Sequence, residues 1–223
     1  MTARIPPAIP NRYSSIAYVL FDWDGTLLNS FEADAAAYMG MFGALGMSWS
    51  RAELLRHYSP NWHNVYRAAR LPRTKWEEAD LLWRRFYRKQ KPRLQPGALR
   101  VLRALDRRFI LALVSSGSRA RVCQQMREHN VSAIFRARVC NEDAPRRKPH
   151  PAPMRLALEK LRAAPHASVY IGDAPEDIEM AHRAGVRAIG VLSGSPVPER
   201  LRAAGADALI ETIADLPALL RKF

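Results

Sequence analysis

The sequence predicts an α/β protein in which a parallel sheet, covered by helices on both faces, carries an inserted bundle of helices. From about residue 96 onward, segments with helical spacing of apolar residues alternate with short, continuously apolar segments. Apolar strands that alternate with helices are typical of a parallel sheet buried on both faces. Between residues 30 and 90 the apolar spacing is helical throughout, which indicates a separate helical unit.

The alternating part of the chain predicts a Rossmann-like core. Its first strand is the apolar run that ends at Asp22, near the start of the chain. The later predicted strands are 109–115, 137–140, 168–173, 187–192 and 208–210. The predicted helices between and after them are 97–108, 119–130, 152–164, 176–186 and 214–222. Each strand is short and rich in β-branched or other apolar residues, as expected of a buried strand.

The inserted unit follows the first strand directly. Four segments there have helical spacing, and Gly or Pro residues separate them: 30–46, 50–58, 61–70 and 73–90. Four helices inserted into one connection of a sheet are expected to form a small bundle of their own. We therefore expect a flexible N-terminal tail at 1–15, an α/β catalytic core at 16–28 and 94–223, and a helical cap at 29–93.

The composition bounds the class of protein. The chain has 223 residues, 48% of them hydrophobic, and its apolar runs are too short for a membrane span. Prolines near the N-terminus occupy the stretch where a signal peptide needs an apolar helix. The two cysteines, Cys123 and Cys140, form neither a disulfide framework nor a zinc motif, so we expect reduced thiols in a cytoplasmic protein.

The formal net charge of +14 raises the question of a nucleic-acid partner. The arginines are scattered, however, and only 84–93 and 145–148 are dense in positive charge. Scattered charge is more typical of a solvated surface than of a nucleic-acid footprint. We therefore expect no nucleic-acid partner and no membrane, although a basic protein attracts small anionic substrates.

Two carboxylates, Asp22 and Asp24, follow the first strand in the stretch "AYVLFDWDGTLLNS" (17–30). Residues two apart on a strand point to the same face of a sheet, and two like charges so close need a positive partner. Ligands bind at the carboxyl ends of parallel strands, so the residues that end the other strands belong to the same argument.

Those strand ends carry further polar residues. Ser115 ends one predicted strand, Asp173 ends another, and Asp177 lies one helical turn later, while Lys148 precedes a helix between them. Carboxylates at one edge predict a Mg²⁺ site, because Mg²⁺ prefers oxygen ligands, water and a phosphate oxygen. Ser115 and Lys148 are then suited to hold an anion beside the metal, as in phosphoryl transfer. No Walker-type glycine-rich loop is present, which disfavours a nucleotide kinase or GTPase.

Four segments resemble the motifs of the haloacid dehalogenase superfamily of phosphohydrolases. "DWDGT" (22–26) resembles its first motif, "LALVSS" (111–116) its second, "KPHP" (148–151) its third and "IGDAPEDIEMAHRAG" (171–185) its fourth. They occur in the family's order across almost the whole chain. The insert after the first motif is similar to the helical C1-type cap of the phosphoglycolate phosphatase-like branch.

The resemblance implies a role for each motif residue. Asp22 would be the nucleophile that forms an aspartyl-phosphate, and Asp24 the general acid and then the general base. Ser115 would bind the phosphoryl group, and Lys148 would neutralise it and hold Asp22. The metal site would comprise Asp22, Asp24 through its backbone carbonyl, Asp173 and Asp177. Thr26, Ser116 and Gly117 would complete the substrate site around the phosphate.

In caps of this kind a loop faces the core and selects the substrate. The candidate loop is 57–64, in which Tyr58, Asn61 and Trp62 are placed to touch a leaving group. The alternative that Tyr58 and Trp62 are packed within the bundle remains open. Cap arginines are further candidates for binding a second anionic group of the substrate: Arg51, Arg56 and Arg67.

The sequence thus predicts a Mg²⁺-dependent phosphatase of small phosphorylated metabolites. A phosphomutase of the same fold would use the same residues and stays open, and a polyanion-binding protein on a retained fold is the alternative of another class. Trp23 between the two aspartates departs from the usual aliphatic residue or Phe and resembles a phosphonate-cleaving branch. That branch and the true dehalogenases lack the second Asp, so Asp24 favours ester hydrolysis. We expect a monomer or a homodimer.

Overall fold

The computed structural model describes residues 16–222 and contains a sheet of six parallel strands. The order across the sheet is β5-β4-β1-β6-β7-β8, and the predicted parallel α/β fold is thereby confirmed. The strands are β1 (Tyr18–Phe21), β4 (Ile110–Val114), β5 (Phe135–Val139), β6 (Ser168–Gly172), β7 (Arg187–Val191) and β8 (Ala208–Ile210). The predicted tail at 1–15 lies outside the described residues.

Within residues 16–222, six helices cover the two faces of this sheet. Helices α5 (Ala98–Leu105), α6 (Arg119–Glu128) and α10 (Leu216–Leu219) pack on one face, where Val19 and Phe21 of β1 point. Helices α7 (Ala152–Leu161), α8 (Pro175–Arg183) and α9 (Pro198–Arg202) pack on the other, against Leu20 and Tyr170. Successive residues of β1 are thus buried on opposite faces, which explains why the strand is apolar without interruption.

The strand order fixes where a ligand site can form. Strand β1 lies between β4 and β6, so the chain leaves it toward opposite edges of the sheet. The carboxyl ends on either side of such a switch point border a crevice that helices do not fill. The residues that follow β1, β4 and β6 therefore meet at one place.

Four of the helices between β1 and β4 share an apolar centre of their own. They are α1 (Phe31–Ala44), α2 (Arg51–His57), α3 (Trp62–Ala68) and α4 (Trp76–Tyr87). Met41, Phe42, Leu54 and Val65 are fully buried among them. The cap boundaries at residues 29–93 remain a prediction, and we use the word cap for that range below.

Two very short strands join the cap to the sheet region. Leu28–Asn29 (β2) pairs antiparallel with Arg93–Leu94 (β3), so the two connections lie side by side. Neither strand was predicted, because a two-residue strand is too short to show a periodic pattern. Helix α9, with five residues, was missed for the same reason.

The cap also contacts the core at several points away from these connections. Ser59 Oγ donates a hydrogen bond of 2.7 Å to Glu176 of α8. The Arg147 guanidinium lies 4.1 Å from the centre of the Trp62 ring. These contacts hold the 57–64 loop over the carboxyl edge of the sheet. No helix among the described residues is long and apolar enough to cross a membrane.

Candidate active site

The centre of the site is a buried ammonium group surrounded by oxygens. Lys148 Nζ donates hydrogen bonds to Asp22 Oδ1 at 2.6 Å, Asp177 Oδ1 at 2.7 Å and the Tyr170 hydroxyl at 2.7 Å. The lysine is only 2% exposed. Burial disfavours its charge, but the neighbouring carboxylates of Asp177 and Asp22 outweigh burial and raise its pKa above the usual value. Lys148 therefore stays charged and holds the Asp22 carboxylate in one orientation.

Three carboxylates gather around that single ammonium group. Asp22, Asp173 and Asp177 each offer an oxygen within 4.8 Å of the others, and all three are buried. Burial raises the pKa of Asp22, and its carboxylate neighbours add to the effect against the attraction of Lys148. Burial and the charges of Asp22 and Asp177 likewise raise the pKa of Asp173. Three negative charges against one positive leave room for a divalent cation, and an all-oxygen donor set fits Mg²⁺.

The loop after β1 is shaped around Asp173. Gly25 has a φ of +80°, and a Cβ at this position would lie 2.1 Å from Asp173 Oδ2. Thr26 is fully buried, and its hydroxyl donates a hydrogen bond of 2.7 Å to Asp173 Oδ1. Thr26, which the sequence predicted to bind substrate, thus contacts a carboxylate of the buried cluster, and its role toward substrate stays a prediction.

A cradle of donors follows β4. Ser115 Oγ accepts a hydrogen bond of 3.0 Å from the Gly117 backbone, so the turn folds back over its own first residue. Ser116 Oγ is buried and has no hydrogen-bond partner among the described residues. A buried hydroxyl without a partner costs free energy unless a ligand satisfies it. Ser116 and Gly117 both line the cavity between cap and core, which is where an anion would meet them.

Asp24 does not join the carboxylate cluster through its side chain. Both of its oxygens accept hydrogen bonds from the Arg121 guanidinium, at 2.7 Å and 2.6 Å. Burial acts against the charge of Arg121, but Asp24 raises the pKa of the guanidinium above its usual value. Asp24 and Arg121 therefore form a bidentate ion pair at the mouth of the site.

Arg121 also links the core to the cap. Its guanidinium carbon lies 5.0 Å from the centre of the Tyr87 ring on α4 and 5.9 Å from that of Trp83. Gln125, one turn further along α6, accepts hydrogen bonds from Arg121 at 3.1 Å and from Trp23 Nε1 at 2.9 Å. The unusual Trp23 is thus a fully buried residue that fixes Gln125, and through it Arg121, beside Asp24.

A cavity of about 200 Å³ lies between the cap and the loop that follows β4. Of the predicted cap residues, Tyr58 and Trp62 line it, whereas Asn61 does not. The backbone of Asn61 instead donates a hydrogen bond of 3.2 Å to Ser59 Oγ, at the start of α3. The arginines considered for a second anion do not line the cavity either: Arg51, Arg56 and Arg67.

Two cap carboxylates that the sequence analysis did not single out face the same cavity. Asp34 Oδ1 accepts a hydrogen bond of 3.0 Å from Trp83 Nε1, and Asp80 Oδ1 accepts one of 2.8 Å from the Tyr66 hydroxyl. Burial, followed by the charge of Asp24, raises the pKa of Asp34 to about 7. A single acidic residue on a helix gives no sequence signal of this kind, because its direction depends on how the helices pack.

Arg121 was also missed, although a weak signal was present. It lies two residues inside the helix that follows the second motif, and the first turn of that helix must approach the strand ends. Nothing in its spacing distinguishes it from the many other arginines of the chain. Tyr170 was missed because it reads as an ordinary buried strand residue.

Comparisons with known proteins agree with this geometry. A family model described as haloacid dehalogenase-like hydrolase matches residues 19–191. The chain is 30% identical over 212 residues to the pyrophosphatase PpaX of Bacillus pumilus, covering 93% of this chain and 97% of the relative. It is 26% identical over 240 residues to the phosphoglycolate phosphatase of Escherichia coli strain K12, covering 94% of each.

Among solved structures, a putative phosphoglycolate phosphatase from Lactobacillus plantarum superposes with a TM-score of 0.85 at 21% identity, covering 92% of this chain and 99% of the other. At that identity the likeness shows the fold. The family-model match extends over most of the chain and spans all four motif segments. This chain therefore belongs to the haloacid dehalogenase-like hydrolase family.

Proposed function

We propose that the protein is a Mg²⁺-dependent phosphatase that hydrolyses small phosphate monoesters through an aspartyl-phosphate on Asp22. The observation that carries the proposal is the position of the Asp22 carboxylate. It is held by buried Lys148 within a cluster of three carboxylates, two residues before Asp24, which lines the same cavity as the unpartnered hydroxyl of Ser116. The relatives named pyrophosphatase and phosphoglycolate phosphatase support the same class of chemistry.

The first half of the reaction transfers the phosphoryl group to the protein. An oxygen of Asp22 forms a bond to phosphorus while the bond from phosphorus to the leaving oxygen breaks, and that oxygen takes a proton from Asp24. Lys148 and the donors at Ser115–Gly117 offset the charge of the phosphoryl oxygens. A Mg²⁺ ion held by Asp22, Asp173 and the backbone of Asp24 would supply further charge neutralisation, with Asp177 beside it.

The second half returns the enzyme to its starting state. Water attacks phosphorus, Asp24 accepts a proton from that water, and the bond between phosphorus and Asp22 breaks to release inorganic phosphate. Both oxygens of Asp24 accept hydrogen bonds from Arg121 in this structure. Each carboxylate oxygen has a second lone pair, so Asp24 can take up or give a proton on the side away from Arg121 while the ion pair stays in place.

The two alternatives are less well supported. A phosphomutase passes through a doubly phosphorylated intermediate, and the second phosphate would lie against Asp34 and Asp80, which repel it. A polyanion-binding protein has no use for the buried cluster of Asp22, Asp173 and Asp177. A cytoplasmic location and a monomeric or dimeric state stay predictions.

The test is phosphate release from a panel of small phosphate esters and an activated aryl phosphate, with and without Mg²⁺. We expect Mg²⁺-dependent turnover that Asp22→Asn lowers by at least about 10³-fold, because the nucleophile is lost while the shape is kept. Asp106→Asn, the same change at an exposed position, is the matched control and should keep full activity. Absence of release from every ester, the aryl phosphate included, would show that the protein is not a general phosphatase.

A further inference from the structure

The cap side of the cavity has an unusual chemistry for a site that receives an anion. It carries two carboxylates and several phenol hydroxyls against one arginine, Arg84. The cap residues concerned are Asp34, Asp80, Tyr38, Tyr58 and Tyr66. Every one of these groups can accept a hydrogen bond, and an ionised carboxylate has no hydrogen to donate.

Neither of the two carboxylates has a cation in direct contact among residues 16–222, although Arg121 attracts Asp34 at longer range and opposes the rise of its pKa. Asp34 accepts from the Trp83 indole and Asp80 from the Tyr66 hydroxyl, both within the cap. Neither forms an ion pair with any residue of the described range 16–222. Their negative charge therefore faces the same cavity that Ser116 and Gly117 line.

The positive groups that line the cavity do not offset this charge. Both Nη atoms of Arg121 are bonded to the two oxygens of Asp24. Arg84 is the other lining arginine, and it is exposed on α4. A second anionic group on a substrate would thus meet Asp34 and Asp80, and in the described part of the chain the lining cations are only exposed Arg84 and the Arg121 held by Asp24.

We infer that the substrate's leaving group is small, uncharged and rich in hydroxyl groups, like a short polyol. This inference rests on the proposed phosphatase function. A hydroxyl donates to a carboxylate and also accepts, and Trp62 Nε1 in the cavity lining is buried with no hydrogen-bond partner among the described residues. An ammonium group would satisfy the carboxylates but would leave that indole N–H unpaired.

The size of the cavity limits the leaving group further. A volume of about 200 Å³ is smaller than the roughly 300–1,000 Å³ of ordinary drug-sized sites. Only a few carbon atoms fit beside a phosphoryl group in that space. The charge of the cap wall selects against a carboxylate or a second phosphate, so phosphoglycolate and pyrophosphate are disfavoured substrates.

A matched set of two-carbon phosphate esters tests this directly. 2-Hydroxyethyl phosphate, 2-aminoethyl phosphate and phosphoglycolate differ mainly in a terminal hydroxyl, ammonium or carboxylate group. Their kcat/KM values are measured at about pH 8, where Asp34 is largely ionised because its pKa is about 7. An ester that is not turned over is ranked by its inhibition constant against an activated aryl phosphate. We expect the hydroxyl ester to exceed phosphoglycolate by at least about tenfold.

Variants connect the ranking to the cap carboxylates. Asp34→Asn with Asp80→Asn keeps an oxygen acceptor for Trp83 and Tyr66 and removes both charges. We expect this double variant to shrink the preference for the hydroxyl ester over phosphoglycolate at least about fivefold. Glu32→Gln removes one charge from the same helix α1 at an exposed position and should keep the wild-type ratio. The single variant Asp34→Asn gives the same comparison if the double variant does not fold.

The outcomes separate the two proposals. Turnover of the aryl phosphate with phosphoglycolate or pyrophosphate equal to or above the hydroxyl ester would overturn the inference and leave the phosphatase function intact. A clear preference for the aminoethyl ester would overturn the hydroxyl assignment in favour of a cationic leaving group. An unchanged ratio in the double variant would remove the cap carboxylates from the explanation. Lack of turnover of every ester would refute the phosphatase function itself, and this inference with it.

Discussion

Trp23 shows how much one residue's role depends on its surroundings. It stands between the two aspartates of the first motif, and on sequence alone it reads as a departure from the family pattern. In the structure it is fully buried, and its indole donates to Gln125. Gln125 in turn accepts from Arg121, which grips Asp24. A larger aromatic residue in the motif thus positions the arginine that faces the proposed general acid.

The buried carboxyl of Asp34 supports a prediction about how stability depends on pH. Its pKa is raised from 3.8 to about 7, chiefly by burial, with Asp24 adding to the effect and Arg121, Trp83 and Tyr58 opposing it. In the unfolded chain the Asp34 carboxyl is already ionised above about pH 5, whereas in the folded protein it keeps its proton up to about pH 7. The free energy of unfolding therefore falls as the pH rises through 7. Between pH 5 and pH 8 the wild type should lose about 2–3 kcal/mol of unfolding free energy that Asp34→Asn does not lose.

Urea unfolding of both proteins at several pH values measures this difference. Glu32→Gln is the control, because the pKa of exposed Glu32 is lowered by Arg51 and its titration lies below the range studied. It should follow the wild-type pH dependence. Parallel pH profiles for wild type and Asp34→Asn would contradict the raised pKa.

At the scale of elements, the sequence pattern predicted every strand of the six-stranded sheet but missed the two-residue strands β2 and β3 and the five-residue helix α9. Strand β4, predicted at 109–115, is observed at Ile110–Val114, and β6, predicted at 168–173, at Ser168–Gly172. The 214–222 helix is shorter than predicted, since a 3-10 turn precedes α10. The β2–β3 pair was invisible because its register arises from two segments far apart in sequence.

The loop that follows β1 supports a second prediction. Gly25→Ala would place a Cβ 2.1 Å from Asp173 Oδ2, at a φ of +80°. We expect a loss of at least about 1–2 kcal/mol in unfolding free energy from the positive φ alone, together with weaker metal binding. Thermal or urea unfolding measures the first effect, and titration with Mg²⁺ the second.

Gly43 offers the matched control for that substitution. It lies inside helix α1, and a Cβ there would have no heavy atom within 4 Å. Gly43→Ala should raise stability by about 0.5–1 kcal/mol, because alanine loses less backbone entropy in a helix. If both alanine variants behaved alike, the shape of the loop around Asp173 would not be the reason for Gly25.

For the whole molecule, the balance of charge differs sharply between the surface and the site. The chain carries a net charge of +14, yet its most buried charged cluster has three carboxylates and one lysine. Only the fold creates that local excess, since the carboxylates come from two segments about 150 residues apart. A divalent cation should therefore stabilise the folded protein as well as serve the reaction.

Addition of Mg²⁺ should raise the thermal midpoint of the protein. At a concentration about 100 times the dissociation constant the gain would be about 2.7 kcal/mol, because the unfolded chain lacks the site. Asp173→Asn should abolish the gain and Asp106→Asn should keep it. NaCl at matched ionic strength controls for screening of the basic surface. An equal gain in Asp173→Asn and wild type would refute the proposed metal site.

The stabilisation of the folded protein by Mg²⁺ should depend on pH. The pKa values of Asp22 and Asp173 are raised, so protons occupy these carboxylates over part of the range in which ordinary aspartates are ionised. Mg²⁺ must displace those protons, and its stabilising effect should shrink as the pH is lowered from about 8 to about 6. Thermal midpoints with and without Mg²⁺ across this range check the sign, and a gain that grows toward low pH would contradict it.

The amino-acid sequence predicts the class of fold, the polar residues at the ends of β1, β4 and β6, and the family resemblance. Those features are local, because apolar periodicity and motif spacing are properties of contiguous segments. Which side chains come together depends on the folded chain: Arg121 with Asp24, Tyr170 with Lys148, and Asp34 and Asp80 on the lining of one cavity. The physical reason is that a side chain's partners depend on the rotation and packing of whole helices, which no short stretch of the chain encodes.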